Sequence, residues 1–414
     1  MNTIYYYAEP DDDIRKEDLN GNVAWEKARH ICERYDIDSS LLKSKEEIDE
    51  IVDLSEEGYT FIREIVRENG QRDWLRVYND GVSRQPTEAE ITVAFKRMIL
   101  EMPKIGFVTG HGERGMYDRT PYGYQYIASN KKVKSSVWNQ GFDVEEVVLD
   151  KEVAKDIDII IIADPREEFS KEEESFLQSY LNRGGNLFIL GEPRHREVLN
   201  PMLQNLFGLE LTPLLVQNDV RYKVLPANIL TCISTEVAKN KMYQLSYSNF
   251  VMPTVAGIEQ VEDKGFDLFP VAQSDTITSC WTELETTDFV DDTIRFNSAI
   301  GEVSKVFSTV VGLTRMVGEK EQRIMISGDA DIFMNDEFVT RRGVSSNNDY
   351  LLLGGCHWMS YGKAPIDVRR PKTQDNKVYL SADVYPMLRW GIRWGIPILV
   401  LIGGVWVWLR RRGR

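Results

Sequence analysis

The sequence predicts an α/β protein built on a parallel sheet, with a small α+β domain before the sheet, a β-rich insertion within it and one transmembrane helix at the end. Three observations carry this expectation. Continuous apolar runs of five or six residues (Lys104–Thr109, Asp158–Ala163, Asn186–Leu190, Arg323–Ser327) alternate with helical patterns, as strands buried on both faces do. Residues from about 215 to 320 are rich in Thr, Ser and Val, with Gly and Pro punctuation and little helical periodicity. The 20 residues from Trp390 to Leu409 are interrupted only by Arg393, matching the ~20 needed to cross a ~30 Å hydrocarbon core.

At 414 residues the chain exceeds the usual ~100–200 per domain, so two or three domains are expected before the C-terminal tail. Its 42% apolar and 28% charged residues are those of a mostly globular chain rather than a disordered or multi-span one. The net charge is -15 although the last five residues hold Arg410, Arg411, Arg412 and Arg414. The body is therefore acidic, and no dense Lys/Arg cluster before residue 388 offers phosphates a basic face, which sets nucleic acid aside. Cys32, Cys232, Cys280 and Cys356 are far apart and form no CxxC pair, so they read as small buried apolar residues, with no metal or cofactor implied.

Along the chain, Thr3–Ala8 reads as a strand and Asn22–Tyr35 as a helix. Tyr59–Val66 and Asp73–Tyr78 flank Asn69-Gly70, a pair suited to a type I′ hairpin turn. This α+β domain is placed at 1–101, closing with a helix that Thr87 and Glu90 cap and Pro103 stops. The parallel core begins at 102, where Lys104–Thr109 runs into the turn GHGERG. A helical segment at Tyr124–Asn139 and a strand at Val144–Leu149 follow. The run Asp158–Ala163 leads to a helix from Ser170 and Glu173 to Asn182, which Gly184-Gly185 ends before Asn186–Leu190. The order is that of a flavodoxin-like or class I amidotransferase-like core. It spans 102–214 and resumes at 322–385 after the insertion at 215–321, with the membrane helix and basic tail at 388–410. Trp390, Trp394, Trp406 and Trp408 fit the two interfacial belts, and Arg393 lies close enough to the edge to snorkel. The terminal arginines put the C-terminus in the cytoplasm and the body outside. Such a body needs an upstream signal or span, which Met1–Asp13 does not supply, so a membrane segment upstream of Met1 is expected.

In open α/β sheets ligands bind beyond the carboxyl ends of strands, an edge that carries His111, Glu113, Asp164, Glu192, Asp329 and Asp331. One histidine with several carboxylates could hold a divalent cation, recognise a ligand or do acid–base work. Acids at strand ends also serve as caps and turn formers. The backbone N–H groups of GHGERG could cradle an anion, but Gly110, Gly112 and Gly115 are read as serving a tight strand-to-helix turn that needs positive φ. An amidotransferase-like hydrolase needs a cysteine on a sharp strand-to-helix turn, and none is evident. Cys356 and His357 are neighbours in a helical pattern, Asp349–Ser360, and so point about 100° apart.

Several segments in this order resemble one known family: IGFVTGHGE at 105–113, DIDIIIIADP at 156–165, LNRGGNLFILGEP at 181–193, LNPMLQNLFGLEL at 199–211, RIMISGDADIFMN at 323–335 and NNDYLLLGGCHWMSYG at 347–362. With the terminal span and its arginines, nearly the whole chain is similar to the GldG-type, gliding-motility-associated auxiliary subunits of bacterial ABC transport systems. That resemblance implies a non-catalytic periplasmic body at the inner membrane, working with an ABC permease and a cytoplasmic ATPase. No G-x-x-x-x-G-K-[ST] occurs, so this chain does not itself energise transport. The family's N-terminal span is missing here. A membrane-tethered hydrolase with an acidic cleft and a structural envelope scaffold are the alternative readings.

Overall fold

The computed structural model describes residues 4–6, 28–34, 36–57, 59, 62–78, 86–218, 225–246, 248–289, 294–340, 344, 346–369 and 384–412. Of the predicted elements, residues 3, 7 and 8, residues 22–27 and 35, Thr60, Phe61 and Arg414 lie outside them. The chain divides into two compact units, Met1–Asp367 and Val368–Arg414.

The first unit opens with two short paired strands, β1 (Tyr5–Tyr6) and β2 (Leu42–Lys43), then a hairpin of β3 (Ile62–Val66) and β4 (Arg72–Arg76). The hairpin turn differs from the expected type I′, because Gly70 takes a positive φ of 86° and Asn69 does not. Gly70 N–H instead donates to the Arg67 carbonyl at 2.9 Å, a four-residue turn that needs left-handed backbone only at its glycine. Helix Glu88–Arg97 carries the predicted capping box of Thr87 and Glu90.

One nine-stranded sheet dominates. Its parallel half is ordered β16 (Lys320–Ser327), β8 (Asn186–Leu190), β7 (Ile157–Ala163), β5 (Lys104–Val108) and β6 (Asp143–Val147). Both faces of β5, β7, β8 and the C-terminal half of β16 are covered, which is why those stretches are largely apolar, whereas the edge strand β6 is mostly polar and only partly buried. Ile159 and Ile161 pack on one side with Phe107, Phe188, Met325 and helix Asn348–Met359. Ile160 and Ile162 pack on the other with helices Lys171–Asn182 and Arg196–Phe207. Each fully buried isoleucine contributes about 1.5–3 kcal/mol. Helix Lys171–Asn182 starts at a capping box made by Ser170 and Glu173, and Gly184 follows at φ 82°.

The segment 215–321, expected to be β-rich, contributes strands both to this sheet and to a second one. It supplies β10 (Ile229–Ser234), β11 (Asn249–Pro253), β13 (Asp267–Ser274) and β15 (Ser308–Val317), an antiparallel extension in the order β11-β10-β13-β15 that joins β16. The strands β9 (Leu209–Gln217), β12 (Ala256–Gln260) and β14 (Cys280–Thr282) form a separate three-stranded sheet ordered β12-β9-β14.

The helix expected over Tyr124–Asn139 is a single turn, Gln125–Ala128, followed by further turns. The buried Asn139 side chain holds them by donating to the carbonyls of Asn130, Lys131 and Val133 at 3.2, 2.9 and 2.7 Å. A side chain that competes for backbone carbonyls in this way favours turns over helix.

The second unit contains helix Val384–Arg412, long and apolar enough to cross a membrane. A π-helical turn, Gly391–Gly395, interrupts it, with Ile396 N–H reaching back to the Gly391 carbonyl.

Candidate functional site: a buried ion cluster at the strand ends

Because β5, β7, β8 and β16 run parallel, the loops after them meet at one edge of the sheet. The loop after β5 turns at Gly110 (φ 132°) and Gly112 (φ 75°), whereas Gly115 needs no positive φ. Arg114 N–H then donates to the Ala163 carbonyl at 3.0 Å, fastening this loop to the end of β7. Gly328, after β16, is required by close approach. Its carbonyl accepts from Ala256 N–H at 2.9 Å, and a Cβ added there would lie 2.0 Å from the Ala256 oxygen.

The side chain of Arg114, 4% exposed, occupies the centre. Its Nη2 is 2.5 Å from Asp331 Oδ1, 3.1 Å from Asp164 Oδ2 and 3.9 Å from Glu192 Oε1, and its Nη1 donates to the Tyr122 carbonyl at 3.2 Å. Glu192 Oε1 also accepts from the backbone N–H groups of Ala330 and Asp331, both at 2.9 Å. Thr254 Oγ1 stands 3.0 Å from both Glu192 Oε2 and Asp331 Oδ2, so its one hydroxyl proton serves them in turn. Towards solvent, Arg194 Nη2 lies 3.2 Å from Asp331 Oδ2 and 3.6 Å from Glu192 Oε2, while His195 Nδ1 lies 2.6 Å from Asp164 Oδ1. Two of these residues hold left-handed backbone without being glycine, Asp164 at φ 55° and Thr254 at φ 54°. Such strain persists only where the surroundings over-determine it, as the network does here.

The acids outnumber the arginines, and protonation absorbs the excess. Burial, reinforced by Asp331, pushes the Glu192 carboxyl up to about 8 despite Arg114. Burial, with Glu192 and Asp331 adding to it, raises Asp329 well above the usual carboxylate range. Asp329 Oδ1 accepts from Ile332 N–H at 3.0 Å, and its buried Oδ2 has no hydrogen-bond partner, which fits a neutral acid.

Asp164, Glu192, Asp329 and Asp331 thus come together, whereas His111 and Glu113 form an adjoining group. Glu113 Oε2 accepts from His111 N–H at 2.6 Å. The His111 ring packs 4.3 Å from Phe169, with Nε2 3.2 Å from the Glu173 carboxylate. This pair ties the β5 loop to the first turn of helix Lys171–Asn182. The sequence reading missed Arg114, Arg194, His195 and Thr254. Arg114 directly follows Glu113, and Arg194-His195 follow Glu192 by two and three positions, so those three lay within turns already singled out. Thr254 arrives from the turn between β11 and β12, which no sequence signal linked to this edge.

The cysteine nucleophile that an amidotransferase-like hydrolase would need is absent from this edge among the described residues. Cys356 and His357 lie in helix Asn348–Met359, and burial raises the Cys356 thiol to about 12. His357 Nδ1 lies 3.0 Å from the Pro365 carbonyl. Among the described residues no group of three or more His, Cys, Asp or Glu side chains is arranged to hold a metal ion.

A family model described as an ABC-type uncharacterized transport system matches residues 102–354, more than half of the chain. The chain belongs to this family of ABC-transport auxiliary components. The matched span contains the parallel core, its antiparallel extension and every residue of the ion cluster. No curated protein matches the sequence. Among solved structures, the chain is similar to the mmIFT52 N-terminal domain (15% identity, TM-score 0.40, covering 63% of this chain and 98% of that one). It is also similar to a putative ThuA-like protein from Bacteroides uniformis (12% identity, TM-score 0.36, 62% and 91% covered). An exo-beta-1,4-mannosidase from an Opitutaceae bacterium matches at 12% identity and TM-score 0.29, with 66% of this chain and 37% of that one covered.

Proposed function

We propose that this chain is the non-catalytic, extracytoplasmic auxiliary subunit of a bacterial ABC transporter of the gliding-motility-associated type. The observation that carries the non-catalytic reading is the state of the strand-end edge. Where sheets of this kind bind ligands, Arg114 already engages Asp164 and Asp331, and Glu192 is bonded to backbone. The acids that could have formed a cation or acid–base site act instead as a buried lock between the loops after β5, β7, β8 and β16. The outer surface of those loops is left for permease, substrate or envelope partners. Helix Val384–Arg412 would hold the body at the inner membrane, with Arg410, Arg411 and Arg412 on the cytoplasmic side next to a partner ATPase. The working division of the body remains 1–101, 102–214, 215–321 and 322–385.

Protease added to spheroplasts tests the topology. Digestion of the body with protection of a tag placed after Arg414 fits this reading, and the reverse pattern sinks it. The membrane-tethered hydrolase keeps one favouring observation, the partly exposed His195 on the buried Asp164. If His195→Ala abolished the cellular function while the protein still assembled with its partners, the hydrolase would replace the non-catalytic reading.

A further inference from the structure

The two ends of helix Val384–Arg412 are built differently. At the C-terminal end Arg410 lies over the Trp406 ring at 5.3 Å and Arg412 over Trp408 at 5.0 Å. At the other end Tyr385, Pro386, Arg389, Trp390, Arg393 and Trp394 line a groove of about 500 Å³ along one side of the helix. These positions repeat at i, i+4 and i+8, and the π turn keeps Trp390 and Trp394 adjacent, with ring centroids 6.2 Å apart. From Val384 to Arg412 there is no Asp or Glu, so neither groove arginine has a counter-ion on its own helix.

The length of the apolar segment sets the depth of this groove. The 16 uncharged residues Trp394–Leu409 rise ~24 Å at ~1.5 Å each, less than the ~30 Å hydrocarbon thickness. With Arg410 at one interface, the Cα of Arg393 lies inside the hydrocarbon on the body side. Helical side chains lean towards the N-terminus, so Arg393 extends out of the hydrocarbon towards the level of Arg389. Two permanently charged, fork-shaped donors then reach the headgroup layer beside two indoles.

We propose that this groove binds the phosphodiester of an anionic phospholipid in the leaflet facing the body. Arg389 and Arg393 would engage the phosphate oxygens, and Trp390 and Trp394 would pack on the glycerol and upper acyl chain. The aromatic wall and the interfacial depth select a lipid over a soluble phosphate, and the net negative headgroup answers the two uncompensated charges. The proposal rests on the helix crossing a membrane and is independent of which transporter the body serves.

The test is native mass spectrometry of the purified full-length chain released from mixed micelles of equimolar phosphatidylglycerol and phosphatidylcholine. Preferential retention of phosphatidylglycerol is expected, with excess inorganic phosphate failing to displace it. An Arg389→Gln/Arg393→Gln variant should lose about tenfold or more of that affinity, the loss for removing one or more charge-assisted contacts, while the corresponding double Lys variant retains part of it. The body's thermal unfolding should be unchanged in both variants, separating lipid binding from misfolding. Equal retention of the two lipids, competition by inorganic phosphate, or a preference that survives the double Gln variant would each overturn the proposal. Extraction of the chain from membranes by alkaline carbonate without detergent would instead sink the span itself, a result read independently of lipid retention.

Discussion

Replacing Arg114 with Gln removes a cation that lies within 4 Å of three carboxylates, Asp164, Glu192 and Asp331, each 5% exposed or less. A glutamine can donate to one of them but neutralises none. Breaking a buried ion pair by deleting one partner costs about 3–5 kcal/mol, because the remaining charge stays buried and uncompensated. Domains of ~150–250 residues lose about 2–4 °C of Tm per kcal/mol, so a fall of roughly 6 °C or more is expected. The deficit should also depend on pH, with a sign fixed by the acids. Glu192 holds its proton up to about 8 in the folded state, against 4.5 ordinarily. Its contribution is therefore fully present below about 4.5 and lost as pH rises through 8. Without Arg114 the neighbouring acids favour protonation further, so the variant should recover part of its stability at pH 5.5 and lose most at pH 8.5. Differential scanning calorimetry of wild type and variant across that range measures both effects. A Tm change under 2 °C, or a deficit that does not vary with pH, would refute the reading of Arg114 as the central counter-charge. Adding Asp331→Asn to the variant should restore part of the loss, since it removes the acid closest to the missing cation.

Asp329→Asn should cost less than about 1 kcal/mol and change the pH dependence little, because it replaces a carboxyl that is already neutral; a large loss in urea unfolding would mean that the acid is ionised. Gly328→Ala should destabilise by about 1–3 kcal/mol or more, since its Cβ would collide with the Ala256 carbonyl; an unchanged midpoint would contradict the close approach of β12. Asn139→Ala should cost about 2–3 kcal/mol by stranding three carbonyls, with the earliest hydrogen exchange at residues 130–139; uniform exchange would show that this side chain does not hold the turns.

The strands β5, β7, β8 and the C-terminal half of β16 were legible because two covered faces leave a nearly continuous apolar run in each. The helix after Ser170 was legible because its cap is local, with Glu173 three residues on. The turns at 129–139 were not, since their apolar spacing imitates a helix and only the burial of Asn139 decides otherwise. Strands β10, β11, β13 and β15 read correctly as β structure, but their membership of the main sheet depends on pairings such as Cys232 with Ser274 and Val310 with Ser327. Pairings of that kind leave no trace in composition. At the site, the rule that ligand edges lie beyond strand ends located Asp164, Glu192, Asp329 and Asp331. What it missed is that the neighbouring Arg114 would fold inward and consume their charge, through bonds to residues 50 and 217 positions away. His111 was expected among those acids, and Glu173 and Phe169 hold it in the adjoining group instead.

The central claim is that this chain works as one component of a transport complex. The most direct measurement is affinity purification of the full-length protein from its native membrane in mild detergent, with quantitative mass spectrometry of what accompanies it. The account predicts a permease and an ATPase in fixed stoichiometry with the chain, retained in the His195→Ala variant. Recovery of the chain alone, under conditions that keep other membrane complexes intact, would contradict it.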